Sequence, residues 1–285
     1  MRRILHPTDF SAHARSALAH AARFAERYEA ELHIFNVVVP YGPSSPLVEE
    51  FPGEDDAKDA LEGIEAGVSS VVRSVVRGIA AAPTILEYAD EHDVDLIVMG
   101  SHGRRGVRRL LLGSVTEEVL RAGRWPVLTV HREDAERVQA YEEILVPVDF
   151  SSRTPPQLEM AADLARRFGA ALDVVHVVDP PVVPELYMPI APLVVDVKRA
   201  TDDALARIEE LVAPLREELD VRSEVLVGGS VHEIMDRADR GTDLIVLPTH
   251  GYSGLDRVLM GSVAEGILRR AKCPVLVLKP ETDED

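Results

Sequence analysis

Short apolar runs alternate with amphipathic segments along the chain, which is the pattern of strands followed by helices. Behind the first run, at residues 4–7, stands Ser11, a residue type that starts helices. The next segment repeats apolar residues at helical spacing, among them Ala17, Ala21 and Phe24. The run 95–99 is apolar on both faces, which is typical of a strand in a parallel sheet covered by helices. The first half of the chain therefore predicts strands at 4–7, 34–39, 68–76, 95–99 and 126–130, with helices after Ser11, at 84–91 and from Ser114.

The second half of the chain repeats the first half in the same order. The segment "RRILHPTDFS" (2–11) matches "EEILVPVDFS" (142–151), and "DVDLIVMGSHG" (93–103) matches "GTDLIVLPTHG" (241–251). Asp9 and Asp149 are 140 residues apart, whereas Gly103 and Gly251 are 148 apart. The second copy therefore holds eight extra residues between its first and fourth strands. Two copies of this length indicate a domain duplication.

Each copy is predicted to be a doubly wound α/β domain with a parallel five-stranded sheet, because strands and helices alternate. The expected boundaries are a first domain at 1–131, a charged linker at 132–142, a second domain at 143–280 and a tail at 281–285. In open sheets of this kind, ligands bind beyond the carboxyl ends of the strands, at the point where the strand order reverses.

The net charge and the distribution of apolar residues argue against nucleic acids and membranes as binding partners. The chain of 285 residues has a net charge of −18 and a pI of about 5.0, so its surface repels the phosphates of nucleic acids and anionic lipids. No apolar stretch approaches the roughly 18 residues that indicate a membrane span. We therefore expect a soluble cytoplasmic protein that binds neither nucleic acid nor membrane. The single cysteine, Cys273, permits no intrachain disulfide and is expected to be a small core residue.

Candidate ligand-binding residues of the first copy stand at the ends of predicted strands. Glycine lets a phosphate approach backbone amides, which a Cβ would prevent. A glycine and a serine then open a helix whose first amides lack internal partners and carry partial positive charge. An aspartate at a strand end is an acceptor suited to a sugar hydroxyl or a metal ion. The residues concerned are Asp9 after the first strand, Val37 at the end of the second, and Gly100, Gly103, Gly113 and Ser114 after the fourth.

Simpler interpretations of some of these residues stay open. Asp9 is equally well explained as a cap or as the residue that holds the turn before the helix. His102 and His250 occupy equal places in both copies, and structural hydrogen bonding is favoured over metal binding for them. Four arginines form a basic cluster: Arg104, Arg105, Arg108 and Arg109. This cluster either attracts phosphate or forms a solvated loop and helix face. The sequence contains no P-loop pattern, and it identifies no nucleophile–base pair.

The spacing G-x2-G-x9-G-[ST], formed by Gly100, Gly103, Gly113 and Ser114, resembles the nucleotide motif of the universal stress protein family. The segments "HPTDFS", "VPVDFS", "DLIVMGSHG" and "CPVLVLKP" are similar to that family's strands, so the resemblance covers both copies. It implies a Rossmann-like fold of the adenine nucleotide alpha hydrolase type. It also implies that the two fifth strands, "PVLTV" and "PVLVL", pair internally about a pseudo-twofold axis, as family dimers do. A homodimer of whole chains stays open.

The resemblance further implies that family members with this motif bind adenine nucleotides, and it assigns residues to the ligand. Thr8 and Asp9 are expected near the ribose and phosphates, and Val37 and Met99 near the adenine. The ribose and phosphates would be surrounded by Gly100, Gly103, Gly113 and Ser114. The matching positions of the second copy are Val148, Asp149, Val177, Leu247, Pro248, Gly251, Gly261 and Ser262.

These expectations lead to one function and two alternatives. The leading hypothesis is a stress-response regulatory protein that binds ATP, accompanied by Mg²⁺, and hydrolyses it slowly at most. The first alternative is an interaction or oligomerisation module that binds no nucleotide. The second is an adenine-nucleotide-dependent enzyme, although "PTDFS" is no phosphate loop.

Pro248 in the second copy stands where the first copy has Gly100. Proline lacks a backbone N–H, so if the Gly100 amide bonds the nucleotide, the second copy cannot make that bond. A lost hydrogen bond to a charged group predicts roughly 10- to 100-fold weaker binding by the second copy. The alternative is that Pro248 only stiffens the chain and that this amide never contacts ligand.

Overall fold

The computed structural model describes residues 1–39, 53–101, 112–131, 141–180, 190–249 and 260–279, with the backbone alone for residues 190–196. The chain forms two compact units, unit one built on residues 1–139 and unit two on residues 140–280. Within the described ranges each unit contains five strands and four α-helices.

Unit one has the strand order β3-β2-β1-β4-β5, and the neighbouring strands are parallel. This order confirms the predicted doubly wound α/β class, since β1 lies at the centre and the chain extends the sheet first on one side and then on the other. The elements are β1 Arg3–Pro7, α1 Ala12–Tyr28, β2 Glu31–Val38, α2 Glu54–Glu62, β3 Val71–Arg77, α3 Ala81–Glu91, β4 Leu96–Gly100, α4 Ser114–Ala122 and β5 Val127–Val130.

Unit two repeats the arrangement as β10-β9-β6-β7-β8, again with parallel neighbours. Its elements are β6 Glu143–Pro147, α5 Thr154–Phe168, β7 Ala171–Val178, α6 Ile190–Val212, β8 Val221–Val227, α7 Ser230–Ala238, β9 Leu244–Pro248, α8 Ser262–Arg270 and β10 Val275–Leu278. A short 3-10 helix, Leu215–Glu217, precedes β8. The internal pairing of the two fifth strands about a twofold axis stays a prediction.

The extra residues of the second copy lie between its second and third strands. Val71 begins β3 and Val221 begins β8, so the offset between copies is 150 there, ten more than at Asp9 and Asp149. Two residues are lost again before the fourth strand. The longer segment contains the 23-residue helix α6, where unit one has the nine-residue helix α2.

Helix α2 was absent from the sequence prediction, which treated this stretch as polar connection. Its signals are weak but present. Ala57 and Leu61 are buried one turn apart, the first turn is acidic, and the Gly53 N–H donates to Asp56 Oδ2 (2.9 Å). The third strand begins at Val71 rather than at residue 68, because Gly67 adopts a left-handed turn (φ 70°) just before it.

The core of each unit lies where helices cover the strands. Leu96, Ile97 and Val98 of β4 are fully buried, and Ala17, Ala21 and Phe24 of α1 are equally buried, as their helical spacing predicted. Cys273 is also buried, which confirms its expected place in the core.

The first strand of each unit ends in proline, which interrupts the ladder to its neighbour. The register Leu5↔Ile97 makes residue 7 the next donor to the carbonyl of Val98, but Pro7 has no N–H. His6 takes over this bond, donating from Nδ1 to the Val98 carbonyl (3.0 Å), and it is 1% exposed. This contact fixes the ring tautomer and keeps a buried carbonyl paired.

In unit two, a side chain of the helix pairs the corresponding carbonyl. Val146 stands at the position of His6, and Gln157 stands at the position of Ala17. The buried Gln157 amide donates from Nε2 to the Val246 carbonyl (2.9 Å), the counterpart of Val98. Unit one thus pairs this carbonyl with a histidine of the strand, and unit two pairs it with a glutamine of the helix.

We expect unit one to lose stability as the pH falls from about 6.5 to about 4. Burial lowers the pKa of His6 to about 4, whereas an unfolded chain titrates near 6.5, so in this interval protons bind the unfolded state preferentially. The loss should reach roughly 3 kcal/mol. Urea unfolding at pH 7 and pH 4.5, followed by fluorescence of Trp125, the single tryptophan, measures unit one.

The control for this prediction transfers the unit-two solution into unit one. The double variant His6→Val with Ala17→Gln replaces the histidine donor by an amide that does not titrate. Its unfolding should vary less with pH than that of the parent chain. An unchanged pH dependence would show that another group is responsible.

Candidate functional site

The carboxyl ends of the first and fourth strands adjoin in each unit, where the strand order reverses. In unit one, Thr8 and Asp9 follow β1, and Gly100 ends the neighbouring β4. Asp149 after β6 and Pro248 at the end of β9 have the same arrangement in unit two. The topology therefore brings these predicted site residues to the edge at which open α/β sheets bind ligands.

The turn after β1 is held by its own side chains. Asp9 Oδ1 accepts from Ser11 N (3.0 Å), and Thr8 Oγ1 accepts from Phe10 N (3.1 Å). Phe10 is left-handed at φ 64°, and Ser11 caps α1 by accepting from Ala14 N. The interpretation of Asp9 as the residue that holds this turn is thus correct for one carboxylate oxygen, which stabilises the chain's entry into α1.

In the matching turn of unit two, one carboxylate oxygen has no partner in the part of the chain that the structure describes. Asp149 Oδ1 accepts from Ser151 N (3.0 Å), and Phe150 is left-handed at φ 59°. Asp149 Oδ2 is buried and has no hydrogen-bond partner among the described residues. A buried carboxylate oxygen in this condition is an acceptor for a ligand hydroxyl or a cation.

The end of the second strand is fastened to the first in both units. Asn36 donates from Nδ2 to the Thr8 carbonyl (2.7 Å), and His176 donates from Nδ1 to the Val148 carbonyl (2.8 Å). The next residue along each strand is a half-buried valine at the edge of the sheet. These are the predicted contacts Val37 and Val177.

Unit two has an open cleft of about 390 Å³ at this edge. The Arg207 guanidinium of α6 lies over the Phe150 ring, 4.6 Å from its centroid, and donates to the Phe150 carbonyl (3.0 Å). The Phe150 ring lies 4.3 Å from that of His176. The volume falls within the ~300–1,000 Å³ of small-molecule sites. The cleft is lined by Phe150, His176, Val177, Val178, Asp179, Ala200, Asp203, Ala204 and Arg207.

At the end of the fourth strand, Gly100 is required by packing. A Cβ at this position would lie 2.9 Å from the backbone carbon and the Cβ of His13, in the first turn of α1. Real Cβ atoms do not approach so closely, so glycine lets α1 lie directly against the end of β4. Met99 and its counterpart Leu247 are both buried beside this position.

The Gly100 amide is directed into the sheet. Ile97 N and Ser101 N donate toward β5, to the carbonyls of Pro126 and Val130, so the N–H of the intervening even-numbered residues points toward β1. Carried on from Leu5↔Ile97, this register aims the Gly100 N–H at the carbonyl of Pro7. It therefore does not favour a bond from this amide to a ligand.

Pro248 consequently removes a sheet donor in unit two. The carbonyl left without that donor belongs to Pro147, and Gln157 supplies the missing bond from Nε2 (2.8 Å). Helix α5 also begins at Thr154, two residues later than α1 in the copy alignment, where the ring of Pro248 replaces glycine. The geometry supports the alternative in which this amide does not contact ligand.

The helix after the fourth strand starts at the same edge. Gly113 N donates to the Ser101 carbonyl (2.6 Å), and Gly261 N donates to the Thr249 carbonyl (2.8 Å), so the chain returns to the strand end before the helix begins. Neither α4 nor α8 has a side-chain cap. The first amides after Gly113, beginning with that of exposed Ser114, are therefore the donors that this helix end presents.

One pair at this edge was missed by the sequence analysis. Ser101 Oγ and His131 Nδ1 lie 2.8 Å apart, at the ends of β4 and β5. Ser101 is fully buried. In unit two the corresponding residues are Thr249 and Lys279, and burial lowers the pKa of Lys279 to about 8. Residues that directly follow two neighbouring parallel strands lie close together. Polar residues directly after two such strands are therefore the sequence signal for a pair of this kind.

Several predicted residues lie outside the described residues. They are Gly103, Gly251, His102, His250 and the arginines 104, 105, 108 and 109. Within the described residues no group of three or more His, Cys, Asp or Glu side chains is placed to hold a metal ion. No helix in those residues is long and apolar enough to span a membrane.

The family model of the universal stress protein family matches the chain twice, at residues 1–131 and 140–279. The chain belongs to the universal stress protein family. The two matches coincide with the two structural units, so this member of the family has the tandem form.

Relatives that match nearly the whole chain and relatives that match about half of it support this assignment. A universal stress protein of Mycolicibacterium smegmatis is 27% identical over 295 residues and is matched over 97% of each chain. The universal stress protein MJ0577 of Methanocaldococcus jannaschii is 32% identical over an alignment of 157 positions, which covers 47% of this chain and 97% of that protein. The crystal structure of a universal stress protein from Archaeoglobus fulgidus has a TM-score of 0.68 at 21% identity, covering 97% of this chain and 98% of that one. This last similarity shows the shared fold.

Replacement of Gly100 by alanine should destabilise unit one by roughly 1–3 kcal/mol, because the added methyl group meets the backbone of His13. Gly229→Ala is the matched control, since a Cβ there has no neighbour within 4 Å and the residue has an extended backbone (φ −73°). Differential scanning calorimetry compares the two variants. Equal, small effects would show that Gly100 is not held by packing against α1.

Proposed function

We propose that this universal stress protein is a stress-response regulatory protein that binds ATP at the carboxyl edge of each unit. One observation carries the proposal. The bond from Gly113 N to the Ser101 carbonyl returns the chain to the end of β4, so that an uncapped helix begins beside the Asp9 turn, where the strand order reverses. Partial positive charge and free amides at that point favour a phosphate.

In unit one, four of the predicted contacts have a part in this proposal. The phosphates lie at the start of α4, where the Ser114 hydroxyl and the first amides donate to them. Asp9 accepts from a ribose hydroxyl, and half-buried Val37 at the end of β2 contacts the adenine. Met99 is buried beneath this edge and supports the contact.

Unit two offers an equivalent site beside an open cleft. Val177 lines that cleft, the unpartnered Asp149 Oδ2 adjoins it in sequence, and Ser262 opens α8 at the same edge. Pro248 does not remove a ligand contact in this arrangement, so we propose that both units bind nucleotide. Mg²⁺ accompanies the phosphates, with carboxylate oxygen as the ligand type that such a cation prefers.

The serine that opens the helix gives a direct test in each unit. Ser114→Ala and Ser262→Ala each remove one donor to a charged phosphate, so each should weaken ATP binding by its own unit roughly 10- to 100-fold. Both residues are exposed, so neither substitution disturbs the core. Isothermal titration calorimetry of the full chain, with each serine variant as the control for the other, assigns the two sites.

Mass spectrometry of gently purified and then denatured protein supplies the independent measurement. Retained ATP is the expected result. Absence of bound nucleotide, together with no heat on titration, would contradict the proposal and favour the interaction module. Rapid substrate-dependent turnover of ATP would instead favour the enzyme.

A further inference from the structure

A set of buried polar atoms at the carboxyl edge of unit two has no hydrogen-bond partner among the described residues. Arg153 Nη1 and Thr154 Oγ1 lie at the start of α5, Thr249 Oγ1 follows β9, and Asp149 Oδ2 follows β6. Thr154 and Thr249 are 1% and 2% exposed. Buried polar groups in folded proteins are normally paired, so a group of unpaired ones calls for a missing partner.

The topology brings these atoms to one place. Strands β6 and β9 are neighbours, and Gln157 of α5 bonds the carbonyls at both strand ends, those of Pro147 and Val246. Thr154 lies three residues before Gln157 on the same face of the helix, one turn nearer the carboxyl edge. That turn brings Thr154 to the level of Thr249 and Asp149.

Unit one lacks this set. Ala14 stands at the position of Thr154, and His13 at that of Arg153. The counterpart of Thr249 is Ser101, whose hydroxyl already lies 2.8 Å from His131 Nδ1. The unpartnered group therefore belongs to unit two and is not a general consequence of the fold.

The start of α5 shows which part of the ligand these atoms fit. Pro155 and Pro156 remove two of the amide donors that a helix start normally presents, and Thr154 N already donates to the Ser151 carbonyl (3.1 Å). Side chains must therefore supply the donors at this point. A guanidinium and two hydroxyls are three donor groups suited to an oxyanion, while the nearby carboxylate suits a sugar hydroxyl.

We propose that Arg153, Thr154 and Thr249 form an oxyanion pocket that holds a phosphate group of the nucleotide in unit two. This inference rests on the proposed nucleotide binding and adds to it residues other than the glycines and the serine of the motif. Unit two thus binds phosphate through side chains of α5 and of the residue after β9, in addition to the start of α8.

The test uses isosteric removal of the two hydroxyls. Thr154→Val and Thr249→Val should each weaken ATP binding by unit two about 10-fold, the lower end of the effect of a hydrogen bond to a charged group. Adenosine, which has no phosphate, should bind each variant as it binds the parent. Titrations are made on the full chain carrying Ser114→Ala, so that unit two gives the tighter signal.

The matched control is Thr242→Val. Thr242 Oγ1 is also buried without a partner in the described residues, but this residue precedes β9 and lies at the opposite end of the strand. Its substitution should leave ATP affinity unchanged. Unliganded Thr154→Val should melt no lower than the parent, because valine keeps the shape and removes an unpaired hydroxyl.

The outcomes separate the two proposals. ATP binding by unit two that is lost in Ser262→Ala but unaffected in both threonine variants would overturn the pocket and leave the proposed function intact. Equal weakening of ATP and adenosine would also overturn it, since the contact would then not be to phosphate. No ATP binding by any form of the chain would overturn the proposed function and the pocket together.

Discussion

The strands of each unit depend on pairing the carbonyl groups that a strand-ending proline leaves without a ladder donor. Pro7 and Pro147 stop the ladder between the first and fourth strands next to the ligand edge. An unpaired carbonyl in this part of the core costs about 1–3 kcal/mol, so a side chain must enter. His6 from the strand and Gln157 from the helix are the two solutions, and each determines what can be packed around it.

The need to pair buried polar groups also explains why the two copies differ at both members of a contacting pair. Between the second strand and the third helix of unit one, His33 Nδ1 lies 2.9 Å from Tyr88 Oη. The corresponding residues of unit two are Asp173 and Arg237, which form an ion pair at 2.5 Å. Burial raises the pKa of Asp173, and the neighbouring Arg237 opposes that rise. A change at one member of such a buried pair is tolerated only with a change at the other.

At the carboxyl edge of unit two, several buried polar atoms are not paired with other described residues. Gln157 pairs the carbonyls at the strand ends, whereas Asp149 Oδ2, Thr154 Oγ1 and Thr249 Oγ1 have no hydrogen-bond partner among the described residues. Cores keep polar groups satisfied, and binding sites keep some available for the ligand. The grouping of several such atoms at the carboxyl edge of unit two, rather than any single unpaired atom, is what distinguishes the proposed site from the scaffold.

The sequence by itself determined the duplication, the α/β class and most strands and helices, because apolar periodicity and repeated motifs are local properties of the chain. It also indicated the ends of the first, second and fourth strands as the ligand edge. It missed α2, whose two buried residues give little periodicity, and the Ser101–His131 pair, which is 30 residues apart. Only the tertiary structure decided what Gly100 and Pro248 do. Their effect depends on which neighbouring strand each N–H faces and on how close α1 or α5 lies, and these distances between elements are not written in the spacing of residues along the chain.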